Sequence, residues 1–133
     1  PVRFTRQGDD VSPPLEWSAV PEGTEELALL CEDTDAPGGT FVHWLVTGIP
    51  PSTTSLGQGE VPVGATSWDN GYGEPAYGGP LPPIGDQPHR YVFRLFALES
   101  PVDVNSEASV EEVLPAIEKR RLATGTLTGL FAR

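Results

Sequence analysis

Apolar residues along the chain come in short runs separated by turn-forming residues, and the runs at 15–18, 26–32, 41–49, 90–98 and 125–132 predict strands. The segments 26–32, 41–49 and 90–98 are the most continuously apolar, so they are expected at the centre of a sheet. Alternation from residue 89 onward puts His89, Tyr91, Phe93 and Leu95 on one face, with Arg90, Val92, Arg94 and Phe96 on the other. A different period follows near residue 110. Val110, Val113, Leu114 and Ile117 recur at helical spacing behind Ser109 and Glu112, the two polar members of a capping box. Pro115 is expected either to kink that helix or to start a second one, because it lacks an N–H and crowds the preceding turn. The pattern as a whole predicts a mainly β fold, a β-sandwich with one or two short helices.

Length adds one constraint. At 133 residues the chain suits a single domain spanning 1–133, able to bury about two-thirds of its unfolded surface. Its longest unbroken apolar run, Leu27 to Cys31, is far shorter than the ~20 residues that cross a bilayer, so no integral membrane association is expected. The first residues lack the basic start and apolar stretch of a secretory leader, which makes the cytoplasm the default expectation. The sole cysteine, Cys31, lies inside an apolar run and reads as a small buried hydrophobe.

Nineteen acidic residues against eight basic ones give a formal charge of −11, which repels phosphate polymers and argues against nucleic acid or anionic membranes as partners. Screening confines that field to about 8 Å at physiological salt. A recessed pocket lined with donors can therefore still hold a small anion.

Three polar clusters beside strands carry the candidate chemistry: Asp33 to Pro37, His43-Trp44, and Pro82 to Tyr91. A carboxylate such as Asp33 or Asp35 next to a histidine fixes its tautomer and leaves the other ring nitrogen for a bound oxygen. A tyrosine hydroxyl and a backbone N–H near Gly79 or Gly85 would complete a pocket for phosphate, sulfate or carboxylate. Read singly, an Asp-x-Asp before proline is an ordinary turn and a His-Trp pair is ordinary strand packing. The segment from 57 to 88, rich in glycine and proline and carrying Trp68, Tyr72 and Tyr77, is long enough to suggest a functional loop.

In combination these motifs resemble the phosphatidylethanolamine-binding protein family, in particular its prokaryotic Raf-kinase-inhibitor-like members. Ser12-Pro13-Pro14-Leu15-Glu16-Trp17 resembles the early Pro-Pro-x-x-Trp strand, and Asp33 to Pro37 the Asp-Pro-Asp-Ala-Pro motif. His43-Trp44 matches the pocket histidine, and Tyr77 to Gly85 followed by His89-Arg90-Tyr91 the second signature. The resemblance implies a phosphatidylethanolamine-binding-protein-like β-sandwich with a small cavity for phosphate-like groups. It assigns ligand contacts to Asp33, Asp35, Pro37, His43, Gly79, Pro83, His89 and Tyr91. Thr34 departs from the pattern, standing where the family has proline, which puts the stiffness of that turn in doubt. No counterpart of the C-terminal helix found in many eukaryotic members follows Arg133, so a more open pocket mouth is expected.

The function expected from these residues is that of a binding or regulatory module for a small anion, a phosphate or phosphorylated headgroup. The alternative is a kinase or peptidase inhibitor acting through a protein–protein surface around Trp68 and Tyr72. No enzyme activity, cofactor or metal is expected: neither histidine has metal-motif spacing or an adjacent serine, and no Gly-x-Ser-x-Gly elbow occurs. Self-association as a homodimer is suggested only by analogy with prokaryotic relatives.

Overall fold

The structure, a computed structural model, describes residues 12–34, 40–79 and 89–131, with residues 89–91 and 127–131 described by their strand pairing. Its elements in chain order are β1 (Leu15–Glu16), β2 (Glu26–Asp33), β3 (Phe41–Ile49), β4 (Ser55–Leu56), β5 (Thr66–Ser67), β6 (His89–Leu98), α1 (Val110–Arg120) and β7 (Arg121–Phe131). The fold is mainly β. Five strands form an antiparallel sheet in the order β5-β3-β2-β6-β7, while β1 and β4 form a separate two-stranded sheet.

The three segments expected at the centre are β2, β3 and β6, adjacent in the sheet and apolar on both faces because both faces are covered. On one face Leu27, Leu29, Cys31, Trp44 and Val46 pack under Leu15 and Leu56 of the small sheet. On the other, Ala28, Leu30, Leu45, Phe96 and Leu98 meet Val113 and Ile117 of α1. Burying such side chains contributes roughly 1.5–3 kcal/mol each, so this double layer is the main source of stability. Burial also settles the state of Cys31: enclosure and the nearby Glu32 and Asp33 carboxylates raise its thiol pKa beyond the usual range, which keeps it neutral.

The helix is a single one. The Ser109 N–H and hydroxyl both donate to Glu112 Oε1, at 3.1 and 3.2 Å, and so fix its first turn. Pro115 sits on the exposed side and neither ends the helix nor starts another. Val113 and Ile117, buried on either side of it, hold the turn that its missing N–H weakens.

Two strand expectations change at their ends. The first run is paired only at Leu15–Glu16, and the last begins at Arg121, directly after the helix. β7 occupies the edge of the sheet, and exposed Arg121, Leu122 and Thr124 dilute the apolar signal there.

Candidate functional site

Among the described residues five polar side chains are buried: Ser12, Asp33, His43, Thr47 and Asn70. Ser12 and Thr47 serve local structure, since Ser12 accepts from the Gly59 N–H and Thr47 Oγ1 accepts from Trp68 Nε1 at 2.9 Å. Asp33, His43 and Asn70 belong to one end of the sheet. Asp33 is the last residue of β2 and lies between Phe41 of β3 and Tyr91 of β6 in the register.

A bulge delivers His43 to this end. Cys31 pairs with Trp44 and Glu32 with Val42, so His43 is an extra residue with no partner position on β2. Strict alternation would send His43 and Trp44 to opposite faces. With the bulge both turn inward, Trp44 against Tyr77 at a centroid distance of 5.7 Å and His43 against Phe41 at 4.8 Å and Tyr72 at 5.9 Å. Both residues are nearly inaccessible, His43 at 2% and Trp44 at 1% exposure.

The loop that follows β5 closes over the bulge. Its Gly71 N–H donates to the Val42 carbonyl at 2.7 Å and its Gly78 N–H to the His43 carbonyl at 2.9 Å, so successive carbonyls of the bulged strand are both satisfied by the loop. In return His43 Nδ1 donates to the Gly78 carbonyl at 2.7 Å. A carbonyl can only accept, so the proton is fixed on Nδ1, and Nε2 becomes a donor only when the ring is protonated. The tautomer is thus set by a backbone carbonyl, where the sequence suggested a carboxylate.

Tyr72 completes the enclosure, its hydroxyl donating to the Gly79 carbonyl at 2.9 Å and its ring edge-on to Phe41 at 4.8 Å. The Gly78 backbone runs so close to that ring that an added Cβ would lie 2.5 Å from it. Only glycine fits there.

Of the residues assigned from sequence, Asp33, His43 and Gly79 are brought to this end, the first two buried in the sheet and Gly79 buried in the loop. His89 and Tyr91 open β6 at the same end, Tyr91 opposite Asp33 and His89 opposite Phe131. Asp35, Pro37 and Pro83 lie outside the described residues. Thr34 forms a turn directly after β2, and its buried hydroxyl has no hydrogen-bond partner among the described residues. Sequence reasoning missed Phe41, Asn70 and Gly78, and it drew the surface of the alternative, inhibitory function around Trp68 and Tyr72. Trp68 is buried against Leu45 and Phe96 as part of the core, so it offers no surface to a protein partner. Its spacing from Leu45 shows the cause: the Trp68 N–H pairs with the Leu45 carbonyl at 2.8 Å, continuing the short strand β5.

Among the described residues no group of three or more His, Cys, Asp or Glu side chains is disposed to hold a metal ion, and no helix is long and apolar enough to cross a membrane.

Comparison with known proteins agrees with this architecture. The model of the family described as phosphatidylethanolamine-binding protein matches residues 1–132. The chain belongs to the phosphatidylethanolamine-binding protein family. A UPF0098 protein of Methanothermobacter thermautotrophicus is 42% identical over 138 residues, covering all of this chain and 90% of that protein. LppC of Mycobacterium tuberculosis, named as a candidate lipoprotein, is 40% identical over 98% of this chain and 65% of its own length. The crystal structure of Escherichia coli YbcL, described as a new member of the mammalian PEBP family, superposes with a TM-score of 0.90 at 35% identity, covering 98% of this chain and 85% of YbcL. Membership accounts for the ordered motifs read from the sequence, and the family's solved fold is the one described above.

Proposed function

We propose that this chain is a binding protein for a small phosphate-like anion, held at the end of the large sheet where Asp33, His43 and the Gly78–Gly79 turn meet, and that it acts by binding and not by catalysis. The observation that carries the reading is the buried His43 ring with Nδ1 committed to the Gly78 carbonyl at 2.7 Å. Once protonated, such a ring offers Nε2–H as a charge-assisted donor to an oxyanion inside a site shielded from the acidic surface. His89 and Tyr91, opening the neighbouring strand, are the further donors that the family resemblance assigns to the same ligand.

Asp33 shapes the choice of ligand. A buried carboxylate disfavours a fully ionised anion but accepts from one that carries a donor of its own, such as monoprotonated phosphate or the amine of a phosphorylated headgroup. A headgroup-sized anion satisfies this reading in the cytoplasm, the compartment we infer, or at a membrane surface.

The test is titration calorimetry with inorganic phosphate and with phosphoethanolamine from about pH 5.5 to pH 8. Affinity is expected to fall as pH rises, by roughly tenfold or more, because a hydrogen bond to a charged group contributes about 1.5–3 kcal/mol and 1.4 kcal/mol is tenfold. Phosphate titrates in the same range. The same series on His43→Asn, whose amide keeps the donor to Gly78 and loses Nε2, separates the ligand's titration from the protein's. Absence of binding, or equal pH dependence in both proteins, would overturn the reading.

A further inference from the structure

Asn70 is a buried amide, 6% exposed, in a loop that otherwise consists largely of exposed residues and glycines, and all of its polar groups point back into that loop. Its Oδ1 accepts from the Tyr72 N–H at 2.8 Å and the Glu74 N–H at 3.1 Å, and its Nδ2 donates to the Ala76 carbonyl at 2.7 Å. Its backbone N–H donates to Glu74 and its carbonyl accepts from Gly73. One residue thus closes both ends of the turn from 70 to 76.

What leaves that turn is the machinery around His43. Tyr72 stands on one side of it, its ring against Phe41 and His43 and its hydroxyl on the Gly79 carbonyl. Ala76, held by the Asn70 amide, leads through Tyr77 to Gly78, the acceptor of His43 Nδ1. The Asn70 amide nitrogen also packs so closely on Gly78 that a Cβ there would lie 2.8 Å away. We propose that Asn70 is the positioning residue of the anion site: it touches no ligand, but it sets where the Gly78 carbonyl lies and thereby which nitrogen of His43 carries the proton.

The proposal rests on the anion-binding reading for its consequence but not for its geometry, and the two are tested separately. The first measurement is nitrogen NMR of the histidine ring in ligand-free protein. The parent should show His43 protonated on Nδ1, the tautomer that free imidazole side chains populate less. Asn70→Ala should shift His43 toward the Nε2-protonated form, since the Gly78 carbonyl is no longer held. Asn70→Asp keeps the one oxygen that accepts from both the Tyr72 and Glu74 N–H groups but sets a carboxylate oxygen against the Ala76 carbonyl in place of the donor, so it should also shift the ratio toward the Nε2-protonated form. Asn105→Ala removes an equivalent side-chain bond, to the Glu107 N–H at 2.8 Å in a remote exposed turn, and should leave His43 unchanged. The second measurement is phosphate affinity, which should fall about tenfold in Asn70→Ala, the equivalent of ~1.4 kcal/mol.

An unchanged His43 tautomer in both Asn70 variants overturns the proposal even if the parent binds phosphate. A changed tautomer in a parent that binds no phosphate upholds the positioning role and removes the anion reading instead. Failure of both variants to fold would make Asn70 a folding residue and overturn the proposal.

Discussion

Two stretches of this chain, 57–65 and 68–79, are both rich in glycine, hold one proline each and lie between sheet elements, yet they do opposite work. The first is tied down at few points: the Gly59 N–H meets Ser12 and Gly57 meets the Glu60 carboxylate, while Val61 and Val63 stand 41% and 99% exposed. The second buries Trp68, Asn70, Gly78 and Gly79 and covers the edge of β3 with three backbone hydrogen bonds, to Val42, His43 and Leu45. Glycine in the first stretch serves turns that water surrounds. In the second, at Gly78, it makes room for an aromatic ring. The contrast teaches that loop composition says where a chain leaves regular structure, and buried polar anchors say whether the loop is part of the core.

The sharpest way to break this comparison is at Trp68. If 68–79 is core, Trp68→Ala should lower stability by about 3–5 kcal/mol and also leave the Thr47 hydroxyl without its donor, measured by denaturant unfolding. A loss under ~1 kcal/mol would return Trp68 to the surface. Next is a matched pair of glycines. Gly78→Ala drives a methyl into the Tyr72 ring and should cost about 1–3 kcal/mol together with phosphate binding. Gly57→Ala finds only a flexible Glu60 side chain at 3.8 Å and should stay within ~0.5 kcal/mol of the parent. Equal costs at the two positions would erase the distinction. The smallest effect is expected at the tip of the first loop, where Val63→Ser should change the melting midpoint by no more than the equivalent of ~0.5 kcal/mol and leave phosphate affinity untouched.

These contrasts also mark what could be read in the sequence. β2, β3 and β6 were legible because a strand buried on both faces must be apolar nearly throughout, and the helix start was legible because Ser109 and Glu112 form a local motif. Asp33 and His43 were legible as a pair from the order of the motifs. The reason His43 points inward was not, because a bulge breaks the alternation on which any face assignment depends, and nothing within β3 alone announces the extra residue. β4 and β5 have two residues each, too few to show a period. Asn70 was missed because an asparagine among glycines looks like any turn. Its burial depends on the loop folding back on itself until Gly78 packs on its amide, a contact that the local sequence does not announce.

The central strand β2 binds its two neighbours over very different spans of chain. Its partner β3 follows after a short connection, whereas Glu26 to Asp33 meet Leu98 to Tyr91 only after roughly sixty to seventy intervening positions. The Asp33–Tyr91 rung therefore closes a large loop, and such closures come late because their entropic cost precedes any contact that repays it. Contact order therefore predicts that the end of the sheet holding Asp33 and His43 is completed after the β2–β3 pair, so that a partly folded chain would lack the site. A ligand bound there, as proposed, would act as a brake on unfolding while doing little to hasten folding, and so would lengthen the lifetime of finished molecules without rescuing nascent ones.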